Sequence, residues 1–297
     1  MTRLIRTLTQ QEQLNFLLTN RIPRKLITRF MGWYSNIEST ILARISIGVW
    51  KLFVDDLDLS EAKKKRFDSL HDCFIRELRE GSRHINQCDD ILTSPCDAIV
   101  GAMGNIDDTT VYQAKNFPYK LQDLIPDADL MNTYRYGKFI TLRLKSTMYH
   151  RFHAPVDCDV NKITYISGDT WNVNPIALKR IEKLYCKNER AAVELITDDK
   201  NKNVLLVPVA AIMVASMRFN CLPHNLNLKY RGPNELDCKA SYKKGDEMGY
   251  FEHGSTIILF TTDKYKFCES IKTGSRINMG QALMQELKST KTDLTQR

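Results

Sequence analysis

The sequence predicts an α+β chain: a helical front over residues 1–80, then a β-rich, mainly antiparallel body over residues 81–297. Up to about residue 80, apolar side chains recur at the spacing of amphipathic helices. Beyond Gly81 the chain breaks into short apolar runs bounded by Gly, Pro, Asn and Asp, several of them alternating apolar and polar residues. A block of helices followed by a block of strands argues against a doubly wound sheet. The composition agrees, since 43% apolar and 26% charged residues in a chain of 297 supply one large or two modest cores and exclude wholesale disorder. With 9 Pro and 13 Gly, the chain is too poor in both to be fibrous or linker-rich.

In the helical front, Leu26, Ile27, Phe30, Met31, Trp33 and Tyr34 stand beside Arg24, Lys25 and Arg29, an aromatic and basic mixture that suits a lipid headgroup layer. From Ile37 a stripe of Ile41, Leu42, Ile45, Val49, Leu52 and Phe53 marks an amphipathic helix, with Glu38, Arg44 and Lys51 off the stripe. Residues 1–51 carry Arg3, Arg6, Arg21, Arg24, Lys25, Arg29, Arg44 and Lys51 against only Glu12 and Glu38, a local basic face suited to an anionic membrane surface. A basic helical hairpin packed on the body is the plainer alternative, and both can hold. Residues 60–79 are expected as a further helix, capped by Ser60 ahead of Glu61, with Lys63, Lys64, Lys65 and Arg66 on a solvated face. Strands are expected in AIVGAMGNID (98–107), FITLRL (139–144), KITYISG (162–168), AAVELITDD (191–199), NVLLVPVAAIMVAS (203–216) and STIILFTT (255–262). The tail after Leu287 reads as frayed.

The formal charge of +8 invites a nucleic-acid partner, yet no RNP, zinc-finger or helix-turn-helix signature accompanies it, so none is expected. The eight cysteines are scattered without a CxxC pair and read as reduced, cytosolic-side thiols. Charged and polar residues interrupt the opening MTRLIRTLTQQEQLNFLL, which argues against a signal peptide. The longest apolar run, residues 204–215, contains Pro208 and falls short of the roughly 18–20 residues of a spanning helix.

Standard signatures (GxGxxG opening a helix, GxxxxGK[ST], GxSxG, HExxH) are absent. Three polar constellations remain, each in a turn-like context between strands. The first, residues 94–100 (SPCDAIV), places Asp97 after a Pro turn; taken alone, it reads as a turn residue capping backbone amides. The second, residues 149–155 (YHRFHAP), sets His150 and His153 around Arg151. No acidic or Cys partner lies nearby at ligand spacing, so proton transfer or anion binding suits this pair better than a metal, and none is expected. The third, residues 244–260 (KGDEMGYFEHGSTIILF), reads most simply as a hairpin turning at His253-Gly254, with Ser255 on its rim. A Gly-Ser peptide held in a constrained turn also has latent reactivity, because the hydroxyl can attack the preceding carbonyl and move the acyl group from nitrogen to oxygen. That attack needs a general base, and a His oriented by an Asp would supply one.

SPCDAIV, YHRFHAP and GDEMGYFEHGSTIILF, in this order, resemble the bacterial, pyruvoyl-dependent phosphatidylserine decarboxylases. FIRELREGSRHI (74–85), QAKNFPYKLQDLI (113–125), ISGDTWNVN (166–174) and NER (188–190) are similar to family segments too, and the likeness runs from about residue 20 to residue 284. A lone GST would be weak; the ordered set is specific.

The resemblance implies a precursor that cuts itself between Gly254 and Ser255, leaving a large chain of residues 1–254 and a small one of residues 255–297. His153, oriented by Asp97, would deprotonate Ser255. The Ser255 hydroxyl would attack the Gly254 carbonyl, and β-elimination from the ester followed by hydrolysis would leave a covalent pyruvoyl group, the cofactor, in place of the serine. Its carbonyl serves as the electron sink that pyridoxal provides elsewhere. His150 would protonate the substrate Cα, and His153 could share that role. The family further implies phosphatidylserine as substrate, phosphatidylethanolamine as product, a homodimer, and a peripheral place on the cytoplasmic side of the cell membrane. His253 reads as a variable neighbour of the cut rather than a second base. Two positions depart from the family pattern: Ala98 and Cys158 stand where Gly is usual, and a Cβ there restricts positive φ. Rival readings are a non-maturing membrane-surface binding protein of the same fold and a pyruvoyl decarboxylase of a soluble amino acid.

Overall fold

The computed structural model describes residues 23–54, 56–114, 117–212, 216–252 and 255–287. It opens with helices α1 (Arg24–Ser35) and α2 (Thr40–Phe53), followed by the short α3 (Leu70–Phe74). Ser39 has extended backbone and its hydroxyl accepts from the Leu42 amide at 3.3 Å, capping α2; Ser69 caps α3 through the Asp72 amide at 3.0 Å. Residues 1–22 and the tail beyond Leu287, read from sequence as helical and frayed respectively, lie outside the described residues. The stripe expected on α2 is there, but it is not packed into a core: Ile41, Ile45, Val49 and Leu52 are exposed, and Ile45 and Val49 border a cavity. The opposite face is the one that docks, with Ala43 buried and Ile47 and Trp50 packed against Ala62, Phe67 and Cys73.

The helix expected over residues 60–79 forms only at Leu70–Phe74, and Ala62 pairs instead with Leu78 in an isolated antiparallel bridge. Four consecutive cations explain the difference. On a helix with 3.6 residues per turn, Lys63 to Arg66 would circle the axis and drive one charge into the protein. The irregular path leaves all of them exposed and still buries Phe67.

The body comprises β1 (Ile91–Thr93), β2 (Ala98–Asn105), β3 (Thr110–Ala114), β4 (Phe117–Lys120), α4 (Leu121–Leu124), α5 (Ala128–Tyr134), β5 (Lys138–Leu144), β6 (Arg151–His153) and β7 (Cys158–Ile166). It continues with α6 (Pro175–Leu178), α7 (Leu184–Lys187), β8 (Arg190–Leu195), β9 (Val204–Ala210), β10 (Ser216–Phe219), β11 (Leu226–Asn227) and β12 (Glu235–Tyr242). It closes with β13 (Glu247–Phe251), β14 (Ser255–Thr261), β15 (Tyr265–Phe267), β16 (Arg276–Ile277) and β17 (Ala282–Glu286). The main sheet is eight-stranded and antiparallel, in the order β12-β7-β8-β9-β14-β5-β2-β16; a second sheet has the order β11-β10-β13-β6. The expectation of a β-rich, antiparallel body therefore holds.

Both faces of the main sheet are covered. Ile257 and Leu259 of β14 join Leu142, Leu206, Phe152 and Phe251 in one core, while Ile258 and Phe260 join Phe139, Leu205, Tyr134 and Tyr185 in the other. This is why β14 reads as an unbroken apolar run: alternate side chains enter different cores, and neither face meets water. Pro208 stands in the central β9, where the missing N–H would break a ladder. The named β8 partners of β9 include Arg190 opposite Val209 and Val193 opposite Leu206, and Pro208 falls in the interval between them.

The structure corrects two further expectations. β13 and β14 are not a hairpin, since they belong to different sheets, and Ser255 is a fully buried residue between β5 and β9 rather than a rim residue. The apolar content of STIILFT, too high for a strand with one wet face, favours the central position. The cysteines are not all reduced: Cys221 and Cys238 form a disulfide, with Cα atoms 5.8 Å apart, between the turn after β10 and β12. Residues distant in sequence met only through folding. Ala98 and Cys158 both lie in strands and neither has positive φ, so their Cβ atoms bring no backbone strain.

Candidate active site

Ser255 opens β14, in register with Leu144 of β5 and Ala210 of β9. It is fully buried, and its Oγ has no hydrogen-bond partner among the described residues. It forms part of the wall of a cavity of about 640 Å³ that is roofed by the first two helices through Tyr34, Ile45, Val49 and Trp50. The two helices are joined there by a 2.8 Å hydrogen bond between the hydroxyls of Tyr34 and Ser46. Arg24 ties α1 to the body, reaching Asp169 at 2.7 Å and stacking 3.7 Å over the Trp171 ring. Gly254, on the other side of the expected scissile bond, and His253 lie outside the described residues.

His153 ends β6 and is held by backbone before any side chain acts on it. Its amide donates to the Pro95 carbonyl at 2.8 Å, and the residue pairs with Glu247 of β13. The imidazole Nδ1 lies 2.8 Å from the Gly245 carbonyl, and Nε2 lies 2.9 Å from the Tyr149 hydroxyl. A carbonyl oxygen only accepts, so Nδ1 carries the proton of the neutral ring and the Nε2 lone pair accepts from Tyr149. Burial depresses the His153 pKa below its ordinary value, opposed by the Gly245 hydrogen bond, which favours the charged form. Burial pushes the Tyr149 phenol in the other direction, upward, which keeps it protonated and donating. The site thus holds a neutral imidazole with a defined tautomer.

Asp97 is buried in the turn that leads into β2, but its carboxylate is engaged elsewhere. Arg83 grips it bidentately, Nε to Oδ1 at 2.9 Å and an Nη to Oδ2 at 2.6 Å, and the Met279 amide donates to Oδ1 at 2.9 Å. The expected Asp97–His153 hydrogen bond is not among these contacts; the Gly245 carbonyl occupies Nδ1 instead. His150 is fully buried, stacked at 4.2 Å on Phe74, with Nε2 3.3 Å from the Ser146 carbonyl. Phe74 and Ser146 both line the cavity, so His150 lies just behind its wall. The fold brings the turn of Asp97 against His153 through the Pro95 carbonyl, and sets His150 behind the wall of the cavity that Ser255 lines.

Sequence reasoning missed three participants. Gly245 has φ +92°, and a Cβ there would come 2.3 Å from the Ile85 side chain, so the turn that aims its carbonyl at His153 requires glycine. The Lys-Lys-Gly-Asp stretch gave a turn signal but no hint of its target. Tyr149 stood beside the two histidines in the motif, and Arg83 lay in a family-like segment with nothing local to reveal its partner.

Comparison with known proteins identifies the family. A family model described as phosphatidylserine decarboxylase matches residues 70–285. The chain is 34% identical over 270 residues to the phosphatidylserine decarboxylase proenzyme of Vibrio parahaemolyticus, covering 87% of this chain and 94% of that one. Against the proenzyme of Haemophilus influenzae it is 31% identical over 273 residues, 88% and 92% of the two chains. Against that of Brevibacillus brevis it is 30% identical over 271 residues, 90% and 95% of the two chains. The matched span contains Asp97, both histidines and Ser255, and on this likeness the chain belongs to the phosphatidylserine decarboxylase family.

Proposed function

We propose that this chain is the precursor of an enzyme that decarboxylates phosphatidylserine to phosphatidylethanolamine, using a pyruvoyl group made from Ser255 by self-cleavage after Gly254. The observation that carries the reading is the Ser255 hydroxyl, buried in a central strand beside a large cavity with no hydrogen-bond partner among the described residues. Leaving a hydroxyl unsatisfied costs about 1–3 kcal/mol. The position fits a pyruvoyl group, because converting the serine to a ketone removes the donor that lacks a partner. Once formed, that carbonyl supplies the electron sink for the charge left on Cα when carbon dioxide departs.

The chain's own residues would do the rest. His153, neutral and with its tautomer set by Gly245, takes the Ser255 proton as general base at Nε2, the Tyr149 hydroxyl giving up that lone pair. Asp97 acts as a positioning residue: Arg83 anchors it, and the turn it belongs to presents the Pro95 carbonyl that holds the His153 amide. His150, behind the cavity wall, returns a proton to the substrate Cα. Cleavage leaves residues 1–254 and 255–297 as two chains of one enzyme, and by the family resemblance two such units form a homodimer.

Peripheral attachment to the cytoplasmic side of the cell membrane is supported by the helical front. Leu26, Phe30, Trp33, Ile41, Ile45 and Leu52 are all more than half exposed, beside Arg29 and Arg44. Apolar side chains of this size stabilise by about 1.5–3 kcal/mol each when withdrawn from water, and anionic lipid attracts the cations. Among the described residues no helix is long and apolar enough to cross a membrane. The same helices roof the cavity that Ser255 lines, which supports a lipid headgroup rather than a soluble amino acid as substrate.

A denaturing gel with intact mass and a carbon dioxide assay on phosphatidylserine vesicles test this reading. Wild-type protein should appear as two chains, the smaller beginning with a pyruvoyl group. Ser255→Ala and His153→Ala should stay uncut, and His150→Ala should cleave but decarboxylate poorly. Decarboxylation by a wild-type chain that remains whole overturns the reading.

A further inference from the structure

We propose that Arg143 anchors the phosphodiester of the lipid headgroup. The assignment rests on the substrate reading above and starts from an arginine without an acceptor. Arg143 is the penultimate residue of β5, in register with Thr256, the residue after Ser255 on β14. It is half-buried and lines the same cavity as Ser255.

Other buried arginines of the body each have acceptors. Arg76 donates to the Thr147 and Met148 carbonyls, Arg190 to those of Leu124 and Cys186, and Arg83 and Arg151 grip Asp97 and Glu247. Lys145, also in the cavity wall, is ion-paired with Asp56. For Arg143 no acceptor is found among the described residues. Burial, only partly offset by the nearby Tyr185, pushes its pKa below the ordinary guanidinium value. A planar fork of donors in that position matches an anion that enters with the ligand.

The headgroup carries two anions, and the chemistry selects between them. The carboxylate loses its charge as carbon dioxide departs. A cation holding it would stabilise the reactant more than the transition state and oppose the reaction. The phosphodiester keeps its charge throughout and can be held without that penalty. It is joined to the amine-bearing carbon by one methylene, and strands lie about 4.8 Å apart. Arg143 and Ser255 leave opposite faces of the sheet, but both reach the one cavity at these strand ends, where a phosphate on the long guanidinium arm leaves the amine within reach of position 255.

The test compares substrate with product, because phosphatidylethanolamine keeps the phosphate and lacks the carboxylate. In mature enzyme, Arg143→Gln should raise KM for phosphatidylserine on the order of tenfold, with a smaller change in kcat, as loss of a charge-assisted pair predicts. Inhibition by soluble glycerophosphoethanolamine should weaken by a similar factor. Arg143→Lys, which keeps the charge without the fork, should lose less. Binding of glycerophosphoethanolamine to the uncut Ser255→Ala protein, followed by the fluorescence of Trp50 in the cavity wall, should show the same order without requiring maturation. Weakening for substrate alone would assign Arg143 to the carboxylate and overturn the proposal, as would unchanged constants for both. Wild-type protein that ignores phosphatidylserine would sink the substrate reading instead, and the binding comparison would still report on Arg143. If Arg143→Gln fails to fold, Arg143→Lys against wild type carries the comparison, with an unchanged inhibition constant counting against the anchor.

Discussion

Replacing Arg83 with Met in the uncut Ser255→Ala background probes how Asp97 is held. The Arg83 side chain is 9% exposed and that of Asp97 2%, so water can replace little of what the guanidinium supplies. After Arg83→Met, Asp97 retains only the Met279 amide of its present partners, and a buried carboxylate is left without its countercharge. Removing one member of such a pair costs about 3–5 kcal/mol. At about 2 °C per kcal/mol for a chain of this size, the melting temperature should fall by about 6–10 °C. Glu61, the other partner of Arg83, is 45% exposed and adds little to the loss. Denaturant unfolding of Arg83→Met, Asp97→Asn and the double variant forms a cycle whose coupling should exceed about 2 kcal/mol. In the Ser255 form, Arg83→Met should also slow self-cleavage, because the turn bearing Pro95 loses its anchor. A coupling below about 0.5 kcal/mol would mean that the pair does not hold this turn.

Other perturbations address the base and the membrane face. Gly245→Ala should cost about 1–2 kcal/mol from φ +92° and retard self-cleavage in a folded chain, since the carbonyl that fixes His153 must move; cleavage at the wild-type rate would remove Gly245 from the site. Self-cleavage should persist at pH values below the ordinary imidazole range, because burial depresses the His153 pKa. The unfolded chain binds that proton more readily than the folded one, so this residue's linkage reduces stability as pH falls through the interval between the two values. Tyr149→Phe removes a donor to the neutral ring and should move the midpoint of the cleavage profile up by roughly 0.4–1 pH unit, the equivalent of about 0.5–1.5 kcal/mol. A profile that stays in place or moves down counts against that hydrogen bond. Ile41→Glu together with Leu52→Glu, both outside the cavity wall, should cut sedimentation with anionic vesicles by at least about tenfold, and undiminished sedimentation would place the membrane contact elsewhere.

Legibility from sequence followed the range of the interactions concerned. The helix over Thr40–Phe53, though not its Ser39 cap, and the strands at 98–105, 139–144 and 255–261 were readable, because periodicity is a property of neighbours. The segment 60–79 misled because a plausible cap at Ser60 outweighed a run of cations that no helix could keep on one solvated face. The apparent hairpin misled because a short turn between strands looks the same whether the chain doubles back or crosses to another sheet. The stripe on α2 was correctly located, yet its period carries no record of whether the apolar side meets the core or the outside.

By itself the sequence determined the main strands and the helix after Ser39, the residue types available for chemistry, and the family likeness that joins Asp97, His150, His153 and Ser255. Tertiary structure alone decided that Ser255 is buried between two strands, that the Gly245 carbonyl rather than Asp97 sets the His153 tautomer, and that Arg83 holds Asp97. It also decided that Cys221 meets Cys238 and that Arg143 faces the cavity of Ser255. The division has one physical cause. Backbone propensity and side-chain period are set within a few residues, whereas a hydrogen bond or ion pair between distant positions exists only once strand order and register bring them together.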